Sequence, residues 1–321
     1  MELSIIFVNW NSLAYLRDCI ASVYQHTSGI VFEIIVVDNA SPEGGVEVIS
    51  EQFPEVVLIK SGENLGFAGA NNLGFRRATG EYVLFLNPDT KLIHDSINVL
   101  LRHIRSLPDA GIVGCKLLNS DLSIQISSIK RFPTILNQML EAEYLQLHWP
   151  NCPLWSLGPL FADKVTVLPV DVIPGACMLL RHQVFEQVGL FSEDYFMYAE
   201  DLDLNVKVKR AGFTNYYVGE TAIIHHGGGS SSRQKVNHWA TVMQCRAMVR
   251  YFHKTRGRSY QRLYQVSVGC AAIARLAVLA GMSLFGNRLS NAQARRNSWD
   301  KWTTVLKWAV GKRDLAMQGR S

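Results

Sequence analysis

Residues 81–90, EYVLFLNPDT, join a short apolar run to a polar turn. The run is typical of a strand that is buried on both faces, and the turn places Asn87 and Asp89 just beyond its end. Three similar runs precede it: LSIIFV (3–8), EIIVVD (33–38) and VVLIK (56–60). Helical patterns separate these runs. The β-α-β-α alternation predicts a Rossmann-like α/β fold with a mostly parallel, doubly wound sheet, in which ligands bind at the carboxyl ends of the strands.

The other predicted elements follow the same two patterns. Helices are expected over 12–24, with Ser12 as the cap, and over 67–78, ending at Gly80, as well as over 95–106 and 201–210. Strands are expected over 111–118, twice within 165–180, and before His225. The segment 120–165 combines prolines with aromatic residues and predicts an insertion or flap.

Composition and charge divide the chain into two regions. Of the 321 residues, 48% are hydrophobic and 18% charged, which excludes a disordered, collagen-like or coiled-coil protein. The formal charge of +5 combines a net charge of −10 over residues 1–232 with +15 over residues 233–321. We therefore predict a catalytic domain over 1–232, followed by a basic helical region over 233–321 that meets phosphates or anionic lipid.

The cysteine pattern and the N-terminal sequence favour a protein of the reducing cytosol. The six cysteines are scattered without a C-x-x-C pair, which favours free thiols in the cytosol. The N-terminal apolar run is short and lacks a basic flank, so it predicts a first strand rather than a signal peptide. Residues 267–286 have about the length of a membrane span, but Arg275 lies in their middle. A buried or interfacial helix is favoured over a spanning one.

Several candidate site residues follow predicted strands, and each has a plain structural alternative. Asp38 can bind a ribose or base edge, or only begin an Asx turn. The glycine-rich ENLGFAGANN (63–72) opens a helix whose amides suit a phosphate, or it forms a tight turn with close packing. Asp89 can hold a cation that bridges a diphosphate, or belong to a Pro-Asp turn.

Two later segments add acids and histidines. Glu200, Asp201 and Asp203 begin a helix, where acids are favoured by the dipole, but the aromatic residues 195–198 before them can also wall a pocket that raises a carboxylate pKa. His225 and His226 precede a Gly/Ser stretch (227–232) that can close over a ligand or serve as a linker. One histidine can complete a metal site with Asp89.

The order of these motifs resembles that of bacterial family 2 glycosyltransferases, most closely the rhamnosyltransferase-like branch that builds O-antigen, lipopolysaccharide and other cell-envelope glycans. The resemblance covers about residues 1–232. The motifs that carry it are VNWN (8–11), VVDNAS (36–41), NLGFAGANN (64–72), FLNPD (85–89), PGACMLL (174–180), FMYAEDLDL (196–204) and HHGGGSS (225–231).

The resemblance implies a GT-A fold and assigns roles to individual residues. It gives Asp201 as the catalytic base with Glu200 beside it, and Asp89 and His225 as ligands of a divalent cation, Mg²⁺ or Mn²⁺, with His226 as the alternative. Asn87 stands where the family usually has a first Asp. The implied donor-binding residues are Val8, Asn9, Asn11, Asp38, Asn64, Gly66, Phe67, Asn71, Asn87 and Asp89. The implied acceptor side comprises Pro174, Gly175, Ala176 and Tyr198.

The implied reaction is an inverting transfer from a nucleotide-diphosphate sugar, with dTDP-rhamnose first, then UDP-sugars and GDP-mannose. The expected acceptor is lipid-linked or a polysaccharide, with a glycan on a polyprenyl diphosphate as the expected partner, at the cytoplasmic face of the bacterial inner membrane. The basic region would bind the anionic surface peripherally, or pack on the catalytic domain or in a homodimer. No nucleic-acid partner is expected. A sugar-nucleotide nucleotidyltransferase and a non-catalytic nucleotide-sugar-binding relative stay open as alternatives.

Overall fold

The structure is a computed structural model that describes residues 1–140, 143–162, 165–227, 238–285 and 292–311. Within these ranges the strands are β1 (Leu3–Asn9), β2 (Phe32–Asp38), β3 (Val57–Lys60), β4 (Tyr82–Leu86), β5 (Thr90–Leu92), β6 (Ala110–Leu118), β7 (Val167–Val170), β8 (Cys177–Arg181) and β9 (Thr214–His225). The helices are α1 (Leu13–His26), α2 (Val48–Gln52), α3 (Gly66–Phe75), α4 (Ser96–Ser106), α5 (Ile135–Leu140), α6 (Glu143–His148), α7 (His182–Gln187), α8 (Glu200–Arg210), α9 (His238–Phe285) and α10 (Ala292–Ala309).

All of these strands belong to one sheet with the order β3-β2-β1-β4-β8-β6-β9-β5, and β7 pairs with β9. Strands β1 to β4, β6 and β9 run in one direction, whereas β5, β7 and β8 run in the other. The predicted mostly parallel sheet is therefore confirmed. Its carboxyl edge collects the ends of six strands together with the beginning of β8.

Helices cover both faces of the sheet, which explains the uninterrupted apolar runs. In β4, Leu84 and Leu86 join a core under α1 and α4, while Val83 and Phe85 join a second core under α3, α7 and α8. A strand with helices on both faces buries every side chain in turn, so its sequence shows no polar alternation. This arrangement confirms the doubly wound class.

Two details of the predicted helices are wrong. The helix expected to end at Gly80 ends at Phe75. Gly80 is instead required by close packing, because a Cβ there would lie 2.5 Å from the backbone nitrogen of Ser4. Ser12 occupies the N-cap position of α1 but makes no capping bond. Its hydroxyl donates to Asn9 Oδ1 at 3.0 Å, because the neighbouring strand end offers that acceptor.

The contacts divide the described residues into two compact units. The first contains residues 1–132, 143–162, 165–196 and 200–227, and the second contains 133–140, 197–199, 238–285 and 292–311. The boundary predicted at 232/233 does not anticipate that residues 133–140 and 197–199 group with the C-terminal helices. In the second unit, α5 reaches α9 through a hydrogen bond from the Ile135 amide to the Tyr260 hydroxyl at 3.1 Å.

The described residues of the basic region over 233–321 are almost entirely helical, as the sequence predicts. Helix α9 is broken at Gly257, whose φ of 84° lies in the left-handed region. Helices α9 and α10 pack together, and the Arg275 guanidinium lies 4.2 Å from the centre of the Trp302 ring. By length and composition, the stretch Ala240–Met282 is long and apolar enough to cross a membrane. Only 22% of its most apolar 18-residue segment is buried in the protein.

Candidate active site

The carboxyl edge of the sheet collects most of the predicted site residues. Because β1, β2, β4 and β9 are parallel, their ends and following turns lie at this edge. Strand β8 runs the opposite way, so the residues just before it reach the same edge. The predicted residues placed there by strand ends are Val8, Asn9, Asp38, Asn87, Asp89, Pro174, Gly175, Ala176 and His225.

Asp38 ends β2 with its carboxylate held by two donors. Asn9 Nδ2 donates to one oxygen at 2.8 Å, and the Ser41 amide donates to the other at 3.3 Å. Val8 pairs with Val37 in the ladder one residue earlier. The Asn11 amide donates to Ser41 Oγ at 3.2 Å. The carboxylate is thus fixed in a turn at the edge, as the turn interpretation expects.

The start of α3 differs from the expectation of free amides for a phosphate. The Leu65 amide donates to Asn39 Oδ1 at 2.8 Å, and the Gly66 amide to Asn64 Oδ1 at 2.9 Å. The Phe67 amide donates to the Phe196 carbonyl at 3.3 Å. These three N–H groups are therefore occupied by protein acceptors, and the prediction that they are free is wrong.

Close packing instead explains the glycine-rich start of α3. Gly66 has φ of 71°, and a Cβ there would lie 2.2 Å from the Phe196 carbonyl oxygen. Asn71 is buried and donates to the Phe67 carbonyl at 2.9 Å, so its amide nitrogen is also used inside the helix. The tight-turn alternative for residues 63–72 is the one that the contacts support.

Asp89 and His225 meet because β5 and β9 pair antiparallel. Thr90 lies opposite His225 in the ladder, and the His226 amide extends it by donating to the Asp89 carbonyl at 2.9 Å. His225 Nε2 lies 3.4 Å from Asp89 Oδ1 and 3.4 Å from Asn87 Nδ2. Both side chains are largely buried.

The other ring nitrogen of His225, Nδ1, contacts a residue that no sequence motif identifies as a site residue. Its Nδ1 lies 2.8 Å from Gln125 Oε1. The neighbouring His226 has different partners: its Nδ1 lies 2.7 Å from Ser120 Oγ, and its ring centre lies 5.3 Å from that of Tyr15. The structure therefore brings His225, rather than His226, to the Asp89 carboxylate.

Glu200 and Asp201 begin α8. Asp201 is partly exposed, and its Oδ2 accepts a hydrogen bond from the Gly175 amide at 3.2 Å. Glu200 is buried, and burial raises the pKa of its carboxyl to about 8, with the negative charge of Asp201 adding to the rise. The residues just before, Tyr198 and Ala199, both have positive φ, of 70° and 64°. Because Glu200 is held protonated near neutral pH, Asp201 is the carboxylate of the pair that is suited to accept a proton.

Adjacent contacts link Asp201 to the Asp89–His225 pair. Asp201 binds the Gly175 amide, the next residue accepts through its carbonyl from the Asn87 amide at 3.0 Å, and the Asn87 side chain reaches His225. This path stays within the first compact unit. The third acid of α8, Asp203, is structural, since it accepts from the Ser192 hydroxyl at 2.5 Å.

The donor set fits a divalent cation that also binds a diphosphate. A carboxylate oxygen and an imidazole nitrogen that face each other are ligands such ions accept. In the described ranges, no group of three or more His, Cys, Asp and Glu side chains gathers to hold a metal. The pair is thus too small for a closed protein cage, and phosphate oxygens and water would fill the other positions. The Gly/Ser loop expected to close over the ligand lies, beyond Gly227, outside the described residues.

Comparisons with known proteins show the family to which the chain belongs. The family model described as Glycosyl transferase family 2 matches residues 4–189. The chain is 28% identical over 249 residues to an N-acetylglucosaminyl-diphospho-decaprenol L-rhamnosyltransferase of Mycobacterium tuberculosis, covering 74% of this chain and 80% of that protein. It is 29% identical to the rhamnosyltransferase WbbL of Escherichia coli K12, over 64% of this chain and 78% of that one.

Solved structures share the fold. A mannosyltransferase from Pyrobaculum calidifontis, crystallised with GDP-Man and Mn²⁺, superposes with a TM-score of 0.56 at 17% identity, covering 100% of this chain and 88% of that chain. GalNAc-T7, crystallised with UDP, GalNAc and Mn²⁺, gives 0.55 at 14% identity, over 70% of this chain and 43% of that chain.

Proposed function

The chain belongs to glycosyl transferase family 2, and from that premise we propose that it is an inverting, rhamnosyltransferase-like enzyme. Its proposed donor is a nucleotide-diphosphate sugar, with dTDP-rhamnose first. Its proposed acceptor is a hydroxyl of a glycan carried on a polyprenyl diphosphate. The names of the mycobacterial and Escherichia coli relatives support this choice of sugar, and the mycobacterial name supports the lipid-linked acceptor.

The observation that carries the proposal is the path from Asp201 through Gly175, Ala176 and Asn87 to the Asp89–His225 pair. An inverting transfer is one in-line displacement at the anomeric carbon. It needs a base on the acceptor side and neutralisation of the diphosphate on the leaving side. The path puts one candidate for each task at the same edge of the sheet.

Asp201 is proposed to take the proton of the acceptor hydroxyl. The hydrogen bond from the Gly175 amide holds one of its oxygens, and its partial exposure leaves the carboxylate open to an acceptor. The adjacent Glu200 is buried and protonated, so it adds no negative charge beside Asp201. Pro174, Gly175 and Ala176, just before β8 in the first unit, remain the proposed acceptor side.

Asp89 and His225 are proposed to hold a divalent cation, Mg²⁺ or Mn²⁺, which supplies charge neutralisation to the leaving diphosphate when it is bound. On the nucleotide side, Asp38 is proposed to contact the ribose or base. Asn9 and Ser41 fix the orientation of its carboxylate, so the contact costs little reorganisation.

The second unit is proposed to lie on an anionic membrane surface. On α9 the exposed residues Leu263, Val266, Cys270, Ile273 and Ala277 recur at intervals of three and four, so they form one apolar stripe. Arg258 and Arg262 are exposed bases on the same side of the Gly257 break as the stripe, and the exposed Lys254 and Arg256 lie just before the break. An apolar stripe flanked by bases matches a helix that lies in the interface, where acyl chains and anionic headgroups meet. We accordingly propose residues 1–232 as the catalytic domain and 233–321 as the membrane-binding region, at the cytoplasmic face of the inner membrane.

A donor screen tests the reaction. The full-length protein is incubated with dTDP-rhamnose, UDP-sugars or GDP-mannose, bacterial membrane extract as acceptor, and Mg²⁺ or Mn²⁺, and released nucleoside diphosphate is measured. We expect release with dTDP-rhamnose that depends on the extract and is lost in Asp201→Asn. Asp109→Asn, at the opposite edge of the sheet before β6, is the matched control and should keep activity. Release with another donor alone would overturn the choice of sugar. Pyrophosphate production from a sugar phosphate and a nucleoside triphosphate would instead identify a nucleotidyltransferase.

A further inference from the structure

Gln125 contacts the ring nitrogen of His225 that faces away from Asp89. Gln125 Oε1 lies 2.8 Å from His225 Nδ1, while His225 Nε2 faces Asp89 Oδ1 and Asn87 Nδ2. The two ring nitrogens therefore have different surroundings. Which of them carries the proton decides whether a lone pair points toward Asp89.

The orientation of the Gln125 amide is fixed by its other contacts. Its Nε2 donates to Asn119 Oδ1 at 3.1 Å and to the His225 carbonyl at 3.2 Å, which uses both of its protons. Asn119 is itself oriented, because its Nδ2 donates to Ser123 Oγ at 2.9 Å. A flipped Gln125 amide would place its oxygen against two acceptors. The oxygen must therefore point at His225.

An acceptor oxygen at Nδ1 requires a proton on Nδ1. Ser127 Oγ also donates to Gln125 Oε1, at 3.2 Å, so that oxygen already acts as an acceptor. In the neutral imidazole the proton is then on Nδ1, and Nε2 keeps its lone pair on the side of Asp89. A histidine that ligates a metal is commonly held in this way, by a partner on its other nitrogen.

We propose that Gln125 is a positioning residue that holds His225 as the Nδ1–H tautomer and so presents Nε2, beside Asp89, to a divalent cation. The inference rests on the metal site of the proposed function. It adds a residue from the loop after β6, a segment outside every motif that carries the family resemblance. Gln125 does not contact the cation or the donor in this assignment and acts only through His225.

The first test reads the tautomer directly and needs no ligand. In the full-length protein without metal, ¹⁵N shifts of the His225 ring, recorded after the ring has been titrated to its neutral form, should show the Nδ1–H tautomer. Gln125→Met removes the acceptor at nearly constant volume and should shift the ring toward the Nε2–H form, because Asp89 Oδ1, 3.4 Å from Nε2, is the acceptor that remains. Gln125→Glu restores an acceptor and should restore the Nδ1–H form. Ser120→Ala removes the equivalent partner of His226 and is the matched control, with no change expected at His225. An unchanged His225 tautomer in Gln125→Met overturns the inference.

The second test measures Mn²⁺ binding by calorimetry, with Mn²⁺ alone and with Mn²⁺ plus dTDP. Loss of an outer partner of a ligating histidine typically weakens metal binding about 10- to 100-fold. We expect that loss in Gln125→Met, recovery in Gln125→Glu, and none in Ser120→Ala. Affinity within twofold of wild type in Gln125→Met would overturn the inference while leaving the metal site intact. Absence of binding in the wild type would overturn the metal site itself, and with it the role assigned to Gln125.

Discussion

Glu200 and Asp201 are adjacent in sequence but occupy opposite environments. Glu200 is 7% exposed, and its Oε2 has no hydrogen-bond partner among the described residues. Asp201 is partly exposed and is held by the Gly175 amide. Two consecutive residues thus supply a neutral acid inside the protein, Glu200, and a partly exposed acid, Asp201. This separation is what one expects where only one of two neighbouring acids transfers a proton.

Asp201→Asn should lose transfer while keeping donor binding. A positioned general base typically contributes about 10²- to 10⁴-fold to the rate, so turnover should fall by that order. The dissociation constant for dTDP should stay within about twofold of wild type, because Asp38, the proposed nucleotide contact, ends β2, whereas Asp201 begins α8. Single-turnover kinetics and calorimetry measure the two quantities. Near-normal turnover would reject Asp201 as the base.

Glu200 should make the protein less stable as the pH rises. Its pKa is about 8 in the folded protein and ordinarily about 4.5, so the folded state holds a proton that the unfolded state releases between these values. The stability that this proton contributes is complete below pH 4.5 and is lost as the pH rises through 8. Each pKa unit corresponds to about 1.4 kcal/mol.

Glu200→Gln should therefore flatten the fall of the urea midpoint between pH 5 and pH 9. Glu51→Gln, an exposed acid on α2, is the control and should follow the wild-type curve. If the midpoints of Glu200→Gln and wild type decline in parallel, the assignment of a protonated, buried Glu200 is wrong.

Asp89 and His225 should both be needed for Mn²⁺ binding, and His226 should not. Asp89→Asn and His225→Ala each remove one of the two facing ligands, and we expect at least a tenfold loss, about 1.4 kcal/mol. His226→Ala is the matched control, because its ring contacts Ser120 and Tyr15 instead. Calorimetric titration with Mn²⁺ and dTDP gives the affinities. A larger loss in His226→Ala than in His225→Ala would reverse the assignment.

The apolar stripe of α9 should carry membrane binding. Val266 is 62% exposed, and burying such a side chain contributes about 1.5–3 kcal/mol. Val266→Glu should reduce co-sedimentation with phosphatidylglycerol vesicles about tenfold or more. Val31→Glu alters an equally exposed valine of the first unit and should bind as wild type does. Equal binding of the two variants would count against the stripe.

Gly66→Ala should destabilise the fold more than Gly29→Ala. Both glycines have positive φ, of 71° and 75°, so both substitutions carry backbone strain of about 1 kcal/mol or more. At Gly66 the added methyl would also lie 2.2 Å from the Phe196 carbonyl, whereas nothing lies within 4 Å at Gly29. Urea midpoints of the two variants measure the difference. Equal midpoints would show that the approach of Phe196 to α3 relaxes without cost.

The sequence predicts which residues lie at the strand ends, because two general rules apply to them. The alternation of elements predicts a parallel sheet, and parallel strands bring Asp38 and Asp89 to one edge. The position of His225 at the end of a later strand follows from the same rule. These rules do not predict which hydrogen-bond partners the polar groups of the loops find. The amides at the start of α3 are occupied by Asn39, Asn64 and Phe196, and these partners come from other segments.

The contact of Gln125 with His225 is another feature of the candidate site that sequence rules do not predict. It comes from the segment SIQISS (123–128), where neither periodicity nor a strand end sets one polar residue apart. Its contact with His225 spans 100 residues of sequence. The grouping of residues 133–140 with the C-terminal helices was missed for the same reason, because it depends on a long-range contact between Ile135 and Tyr260.

The interleaved strand order means that the site residues at the carboxyl edge of the sheet come from two separate blocks of sequence. β1 to β4 form one contiguous block that contains Asp38, and it is complete by residue 86. Asp201 arrives only with α8, and His225, the partner of Asp89, only with β9, more than one hundred residues later. Substitutions or insertions in the later block can thus change the residues proposed as base and metal ligand, while Asp38, the proposed nucleotide contact, is inherited unchanged.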